Sequence, residues 1–268
     1  MTNTRKIEYN ITEEVAYNLS EYAKKYETID FIINDPSWFM HQVKGVNNQE
    51  TIAFIAACLS YGTRKIFMKK IQFILDCCNK NPYNWIKYGL FRKDIPNNSE
   101  CFYRLYKNKT MFQLFETYQE VIKNYNSLGE YIKSYCKYSK TTDLINSFKA
   151  IEAICFYFNQ NKISGIVPIN TKSSCKRICM FLRWMVRDNS PVDLGIWSSF
   201  IDKSTLIIPL DTHVISQSYA LGLISSKYPT MTNAQKLTNT VKKIFANDPL
   251  KADFALFGYG VNKNRKEP

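Results

Sequence analysis

The sequence predicts an all-α protein made of two helical lobes, and three observations carry that reading. Apolar residues recur at helical spacing almost throughout the chain. The clearest strand signal is one short apolar run, Leu206-Ile207-Ile208, stopped by Pro209. Strand and helix patterns do not alternate, which excludes a doubly wound sheet. With 268 residues, 45% of them hydrophobic and 15% aromatic, the chain is long and apolar enough to bury a full core and is not disordered.

The elements follow in order. Val15, Leu19, Tyr22 and Tyr26 mark a first helical stripe. Ile52, Ile55, Ala56 and Leu59 mark a second, and Phe67, Ile71, Ile74 and Cys78 a third. Thr142 or Asp143 is the expected cap of a helix carrying Phe148, Ile151 and Cys155. Ile178, Phe181, Leu182 and Met185 form the next stripe, and Thr232 can cap a helix bearing Ala234, Leu237, Val241 and Ile244. Asp248-Pro249 reads as a cap followed by proline at the first helical position, where no backbone N–H is needed. Polar or turn-rich breaks fall at 44–49, 93–99, 164–174 and 187–193. No internal repeat at a solenoid period is present.

Charge narrows the partner. Lys plus Arg is 36 against 23 for Asp plus Glu, a net +13, which points to a polyanion, nucleic acid first and an anionic membrane second. No apolar run reaches the roughly 18 residues of a membrane span. Residues 1–10 lack the apolar core of a signal peptide, so the expected location is cytoplasmic. The eight cysteines form no Cys-x-x-Cys pair and only two histidines, His41 and His213, are present. Buried free thiols, and no metal or other cofactor, are therefore expected.

Two segments hold candidate chemistry. The run 171–187 contains Lys172, Lys176, Arg177, Arg183 and Arg187 and no acid. On a helix, Lys176, Arg183 and Arg187 fall within about 40° of one another, opposite the apolar stripe. A serine-rich loop leads in, and the free N–H groups of Ser173 and Ser174 would suit a phosphate. The same pattern also describes a solvated basic face. In the second segment, 206–222, Asp211 follows a stiff apolar stretch and opens a helix. It can be an ordinary N-cap and still be a rigidly held, ionised carboxylate at a cleft mouth.

The run from Ser174 through Asp211 resembles the helix-hairpin-helix DNA glycosylases, most closely their archaeal 8-oxoguanine branch. In that superfamily a lysine opening the hairpin's second helix is the nucleophile of bifunctional members, and an aspartate opens the next helix across the cleft. Lys176 matches the lysine, and Asp211, in the run 208–214, matches the aspartate. The run 48–60 resembles the opening helix of the hairpin-bearing lobe and 254–260 the closing helix, so the similarity covers about residues 45 to 260. The chain as a whole looks like a bacterial family related to these glycosylases. It departs from the pattern in two ways: residues 171–175 carry no glycine where a Gly-x-Gly turn is usual, and the 35 positions from Lys176 to Asp211 are a long gap. Iron–sulfur cysteines after the last helix are absent, so no cluster is expected.

The resemblance implies a lobe at 46–190 bearing the hairpin, a second lobe made of 1–45 with 191–268, and a cleft between them. It implies base-excision repair: a monomer that flips a damaged base, an oxidised purine by preference, out of double-stranded DNA. Lys176 would attack the sugar as Schiff-base nucleophile and Asp211 would stabilise the cation forming on the sugar. Lysine ordinarily titrates near ~10.4, so a nucleophilic amine needs desolvation or neighbouring cations, for which Arg177 and Lys172 stand nearby. Lys172, Ser173, Ser174, Arg177, Arg183 and Arg187 are the expected DNA contacts. Trp38, Phe39, Tyr61 and Trp197 are candidate base-pocket aromatics. Two other readings fit the residues: a DNA-binding protein on the same fold that has lost catalysis, and a helical protein acting on RNA or nucleotides.

Overall fold

A computed structural model describes residues 11–141, 143–160, 163 and 165–266, the last six as backbone alone. The candidate cap Thr142, the loop residue Ser164 and the N-terminal segment 1–10 lie outside the described residues. The chain is mostly helical. Its α-helices are α1 (Glu13–Tyr26), α2 (Val46–Leu59), α3 (Arg64–Cys77), α4 (Pro82–Lys87), α5 (Phe91–Asp94), α6 (Asn108–Tyr125), α7 (Leu128–Tyr135), α8 (Ser147–Gln160), α9 (Lys176–Val186), α10 (Thr212–Ala220), α11 (Met231–Val241) and α12 (Lys251–Lys266). Among the described residues, sheet is confined to two small pairs: antiparallel β1 (Cys101–Tyr103) with β2 (Tyr106–Lys107), and parallel β3 (Ile145–Asn146) with β4 (Ile201–Asp202). No helix among the described residues is long and apolar enough to cross a membrane.

Helix α2 lies at the centre. Every residue from Glu50 to Leu59 is buried, so this helix is covered on all sides rather than along one stripe. The 3-10 segment Pro36–His41 and helices α3, α4 and α9 pack on it. The Phe54 ring sits 5.1 Å from Tyr118 of α6, 5.0 Å from Phe158 of α8 and 5.4 Å from Phe181 of α9. One continuous core therefore runs from Leu19 on α1 through α2 to Leu256 on α12. It spans both expected lobes, with Pro36–His41 of the second packed on α2 of the first. Helices α1 and α10 both pack on α12, so the first and last helices of the described residues lie together.

Several expected caps are corrected. Asp143 precedes β3, and α8 starts four residues later, with Asn146 accepting from the Phe148 N–H at 2.9 Å. Thr230, rather than Thr232, caps α11 by accepting from the Asn233 N–H. The Asp248 side chain does not cap α12; it is engaged by Arg187. The Leu206-Ile207-Ile208 run is buried but forms no strand, and the Ile208 N–H is satisfied by the Thr238 hydroxyl at 3.1 Å.

Glu50 is a buried carboxylate with a structural task. It accepts from the N–H groups of Leu128 at 2.7 Å and Gly129 at 3.2 Å, the free donors at the start of α7. It also accepts from the Trp197 indole at 3.2 Å and the Tyr118 hydroxyl at 3.3 Å. Burial pushes its carboxyl up, and the Leu128 and Gly129 N–H groups partly offset that. Gly129 is required by the close approach, since a Cβ there would meet Trp197 Nε1 at 2.8 Å. Glu50→Ala would leave two backbone donors and an indole N–H buried without an acceptor, a loss of roughly 3 kcal/mol or more. Urea unfolding measures it, with Glu50→Gln expected between the two; an alanine variant as stable as wild type would contradict this role.

Candidate active site

The two ends of the site are helix starts. Residues 172–174 run antiparallel to 229–231, with Ser174 N–H donating to the Pro229 carbonyl at 3.0 Å and Met231 N–H to the Lys172 carbonyl at 3.2 Å. The chain then turns into α9 through Cys175, whose φ of 47° is left-handed. This is the turn that glycine would serve at least cost, made here by a residue with a buried side chain. Lys176 is the first residue of α9, so its side chain projects from the exposed end of an otherwise buried helix. Across from it, Asp211 caps α10 by accepting from the Val214 N–H at 2.7 Å through Oδ1. Its other oxygen, Oδ2, lies 3.6 Å from Lys176 Nζ.

This ion pair is open. The side chains are 37% and 34% exposed, and they stand on the wall of a cavity of about 850 Å³. Tyr61, Gly62 and Arg64 form one lip, Lys227 and Pro229 belong to another, and Phe31, Asp35, Asp253 and Phe257 line it deeper. Two walls are fixed by close packing of α10 on α12. At Gly260 a Cβ would come within 2.1 Å of His213 Nε2, so only glycine admits the histidine there.

Arg183 and Asp253, both in the cavity lining, belong to a buried ionic cluster. Arg187 donates to Asp193 at 2.5 Å, to both oxygens of Asp248 at 2.8 Å and to Glu27 at 2.7 Å. Arg183 donates to Asp193 at 3.2 Å and pairs with Asp253. Burial alone would favour neutral arginine, but Asp193 with Asp253 about Arg183, and Asp248 with Asp193 about Arg187, hold both guanidinium groups above their ordinary range. Burial pushes the Asp193 and Asp253 carboxyls up, and the arginines oppose that.

The expected site residues divide accordingly. Lys176 and Asp211 are brought together. Lys172 is exposed, Ser173 is exposed and lines the cavity, and Tyr61 stands exposed at the mouth. Arg183 and Arg187 are corrected: at 4% and 1% exposure their guanidinium groups are taken up by carboxylates, Arg187 away from the cavity and Arg183 at its lining beside Asp253. Arg177 is half-buried at the cavity lining, and its guanidinium donates to the carbonyls of Cys58 and Gly165 at 2.9 Å and to the Tyr106 hydroxyl at 2.5 Å. The Ser174 N–H is used by Pro229 and is not free for an anion. Phe39 and Trp197 are core residues, and Trp38 is exposed outside the cavity lining. Sequence reasoning passed over Asp35, Arg64, Asp253 and Phe257. Asp253, in the first turn of α12, has the look of an ordinary dipole-complementing acid, and nothing local announces its arginine partner.

Over residues 35–262 the chain matches a family described as "Protein of unknown function (DUF2400)". It is a member of the DUF2400 family. The span matched to DUF2400 includes Lys176, Asp211 and all of the cavity lining just described except Phe31. No curated protein and no solved structure matches the chain.

Replacing one arginine of the cluster leaves buried carboxylates without a counter-ion. Arg187→Ala should therefore lose roughly 3–5 kcal/mol of stability. Thermal unfolding tests this. An Arg187→Ala protein with unchanged melting would return the residue to a surface role.

Proposed function

We propose that this DUF2400 protein is a base-excising DNA glycosylase with AP lyase activity, built as a two-lobed helix-hairpin-helix enzyme. The observation that carries the reading is the Lys176–Asp211 pair: an amine and a carboxylate 3.6 Å apart, from two different helix starts, on the wall of an open cavity. The cavity, about 850 Å³, is of the size that holds an extruded nucleoside. An oxidised purine is the preferred substrate because the resemblance carried by Lys176 and Asp211 is to an 8-oxoguanine branch.

The chemistry follows from the two groups. As the bond from C1′ to the base lengthens, positive charge grows on the sugar, and the fixed Asp211 carboxylate opposes it at short range. Lys176 Nζ, deprotonated for attack, supplies its electron pair to C1′. The base leaves with the bonding electrons and takes up a proton. Ring opening gives an imine between Nζ and C1′. Loss of a C2′ proton then expels the 3′ phosphate by β-elimination, which nicks the strand. The N-cap bond from Val214 keeps Asp211 from swinging away.

The same ion pair fits a second reading, a DNA-binding protein without catalysis, in which Lys176 and Asp211 merely tie α9 to α10. Borohydride reduction on a duplex with a single 8-oxoguanine separates the two. Wild type should form a covalent adduct. Lys176→Gln should form none and keep most of its DNA affinity. Asp211→Asn should slow base release by ~10²–10³, the usual cost of removing one transition-state charge partner. An adduct that survives Lys176→Gln and disappears in Lys172→Gln would move the nucleophile. Tight DNA binding with no adduct on any oxidised purine would favour the non-catalytic reading.

A further inference from the structure

The arginines expected to grip phosphates are buried, so the solvent-facing cations near the cavity lie elsewhere. No carboxylate occurs between Glu50 and Asp76, nor between Glu100 and Glu116. These two stretches hold Arg64, Lys65, Lys69, Lys70, Arg104, Lys107 and Lys109. The fold joins them into one face. The Arg104 guanidinium lies over the Tyr61 ring at 5.2 Å and the Lys70 ammonium over the Phe102 ring at 4.9 Å. The Tyr103 hydroxyl donates to the Tyr61 carbonyl, and the Phe73 and Phe102 rings are 6.1 Å apart. Since Tyr61, Gly62 and Arg64 also line the cavity, the basic face runs straight into its mouth.

An ordinary solvated face looks different on this same molecule. Lys24, Lys133 and Lys149 each pair with a glutamate three residues away, and Arg92 pairs with Glu116. Among the described residues, none of these seven cations, six on α3 and the β1–β2 hairpin and Lys109 at the start of α6, has a carboxylate at ion-pair distance. Lys65 and Lys69 are like charges one turn apart on an exposed helix face, an arrangement that slightly weakens α3 and that a bound polyanion would relieve. Exposed Tyr61, Ile66, Phe73 and Leu105 lie among the cations, so aromatic rings on which bases can stack stand beside the charges. That suits a nucleic acid more than a lipid surface.

We propose that this face, formed by α3 and the β1–β2 hairpin, is the docking surface for duplex DNA. Arg64, Lys65, Lys69 and Arg104 contact the phosphates that flank the nucleotide held in the cavity. The proposal rests on the reading of the protein as DNA-acting, and it places the duplex against the Tyr61 lip rather than along α9.

The test compares Lys65→Gln/Lys69→Gln/Arg104→Gln with Lys24→Gln/Lys25→Gln, a control that removes charge from α1. Anisotropy of a fluorescein-labelled duplex is read across a salt series. The triple variant should bind at least ~10-fold more weakly at moderate salt, and its slope of log affinity against log salt should be shallower by about 3, one for each lost phosphate contact. The control should match wild type. All the exchanged side chains are exposed, and the single variants Lys65→Gln and Arg104→Gln should each lose a slope of about 1 should the triple variant not fold. Borohydride trapping in the triple variant should fall in step with the fraction of duplex bound and no further, which separates docking from chemistry. If trapping fails in wild type while the slope still drops in the triple variant, the docking surface stands and the glycosylase reading falls. Unchanged affinity and slope in the triple variant would overturn the proposal. So would an equal loss in the control, or a wild type that binds phosphatidylserine vesicles and ignores the duplex.

Discussion

Two arginines at the end of α9, one in its last turn and one at its C-cap, hold the site in register. Arg183 and Arg187 are buried, and their carboxylate partners come from four places: Glu27 just after α1, Asp193 in the turn after α9, Asp248 before α12 and Asp253 within it. Removing such charges from water is costly, and the cost is offset only by near-complete pairing. The cluster therefore permits one seating of α9 against α1 and α12. Helix α12 in turn receives His213 at Gly260, which seats α10. The distance between Lys176 at the start of α9 and Asp211 at the start of α10 is the last link of that chain of contacts.

The molecule thus divides its basic residues by task. The α9 arginines are neutralised inside, where they position helices. The α3 and hairpin cations stand beside the cavity with no carboxylate partner among the described residues. Between these two populations sits the Lys176–Asp211 pair, about one-third exposed and so accessible to a ligand. Net charge alone does not distinguish an ordering arginine from a binding one; the location of the acids does.

This explains what the sequence revealed and what it concealed. The helical class was legible because stripes such as Phe67, Ile71 and Ile74 are one-sided and local. Lys176 and Asp211 were singled out because each opens a helix, α9 as its first residue and α10 as its N-cap, and the fold sets them 3.6 Å apart. The error at Arg183 and Arg187 came from assuming that the side of α9 opposite its apolar stripe meets water. That side is covered by α12 and the turn after α9, whose acids lie 6 to 70 positions further along the chain. Trp197 and Glu50 were hidden in the same way, since the pair is 147 residues apart in sequence. Cys175 takes the left-handed conformation that glycine usually serves, so no glycine marks this turn in the sequence.

The central claim is that Lys176 is the nucleophile of this site. Peptide mapping by mass spectrometry, on wild-type protein reduced with borohydride while reacting on an 8-oxoguanine duplex, tests it most directly. The account predicts a single sugar adduct on the lysine side chain of Lys176. An adduct confined to Lys172 or another lysine, or a bound and reduced complex with no modified lysine, would contradict it.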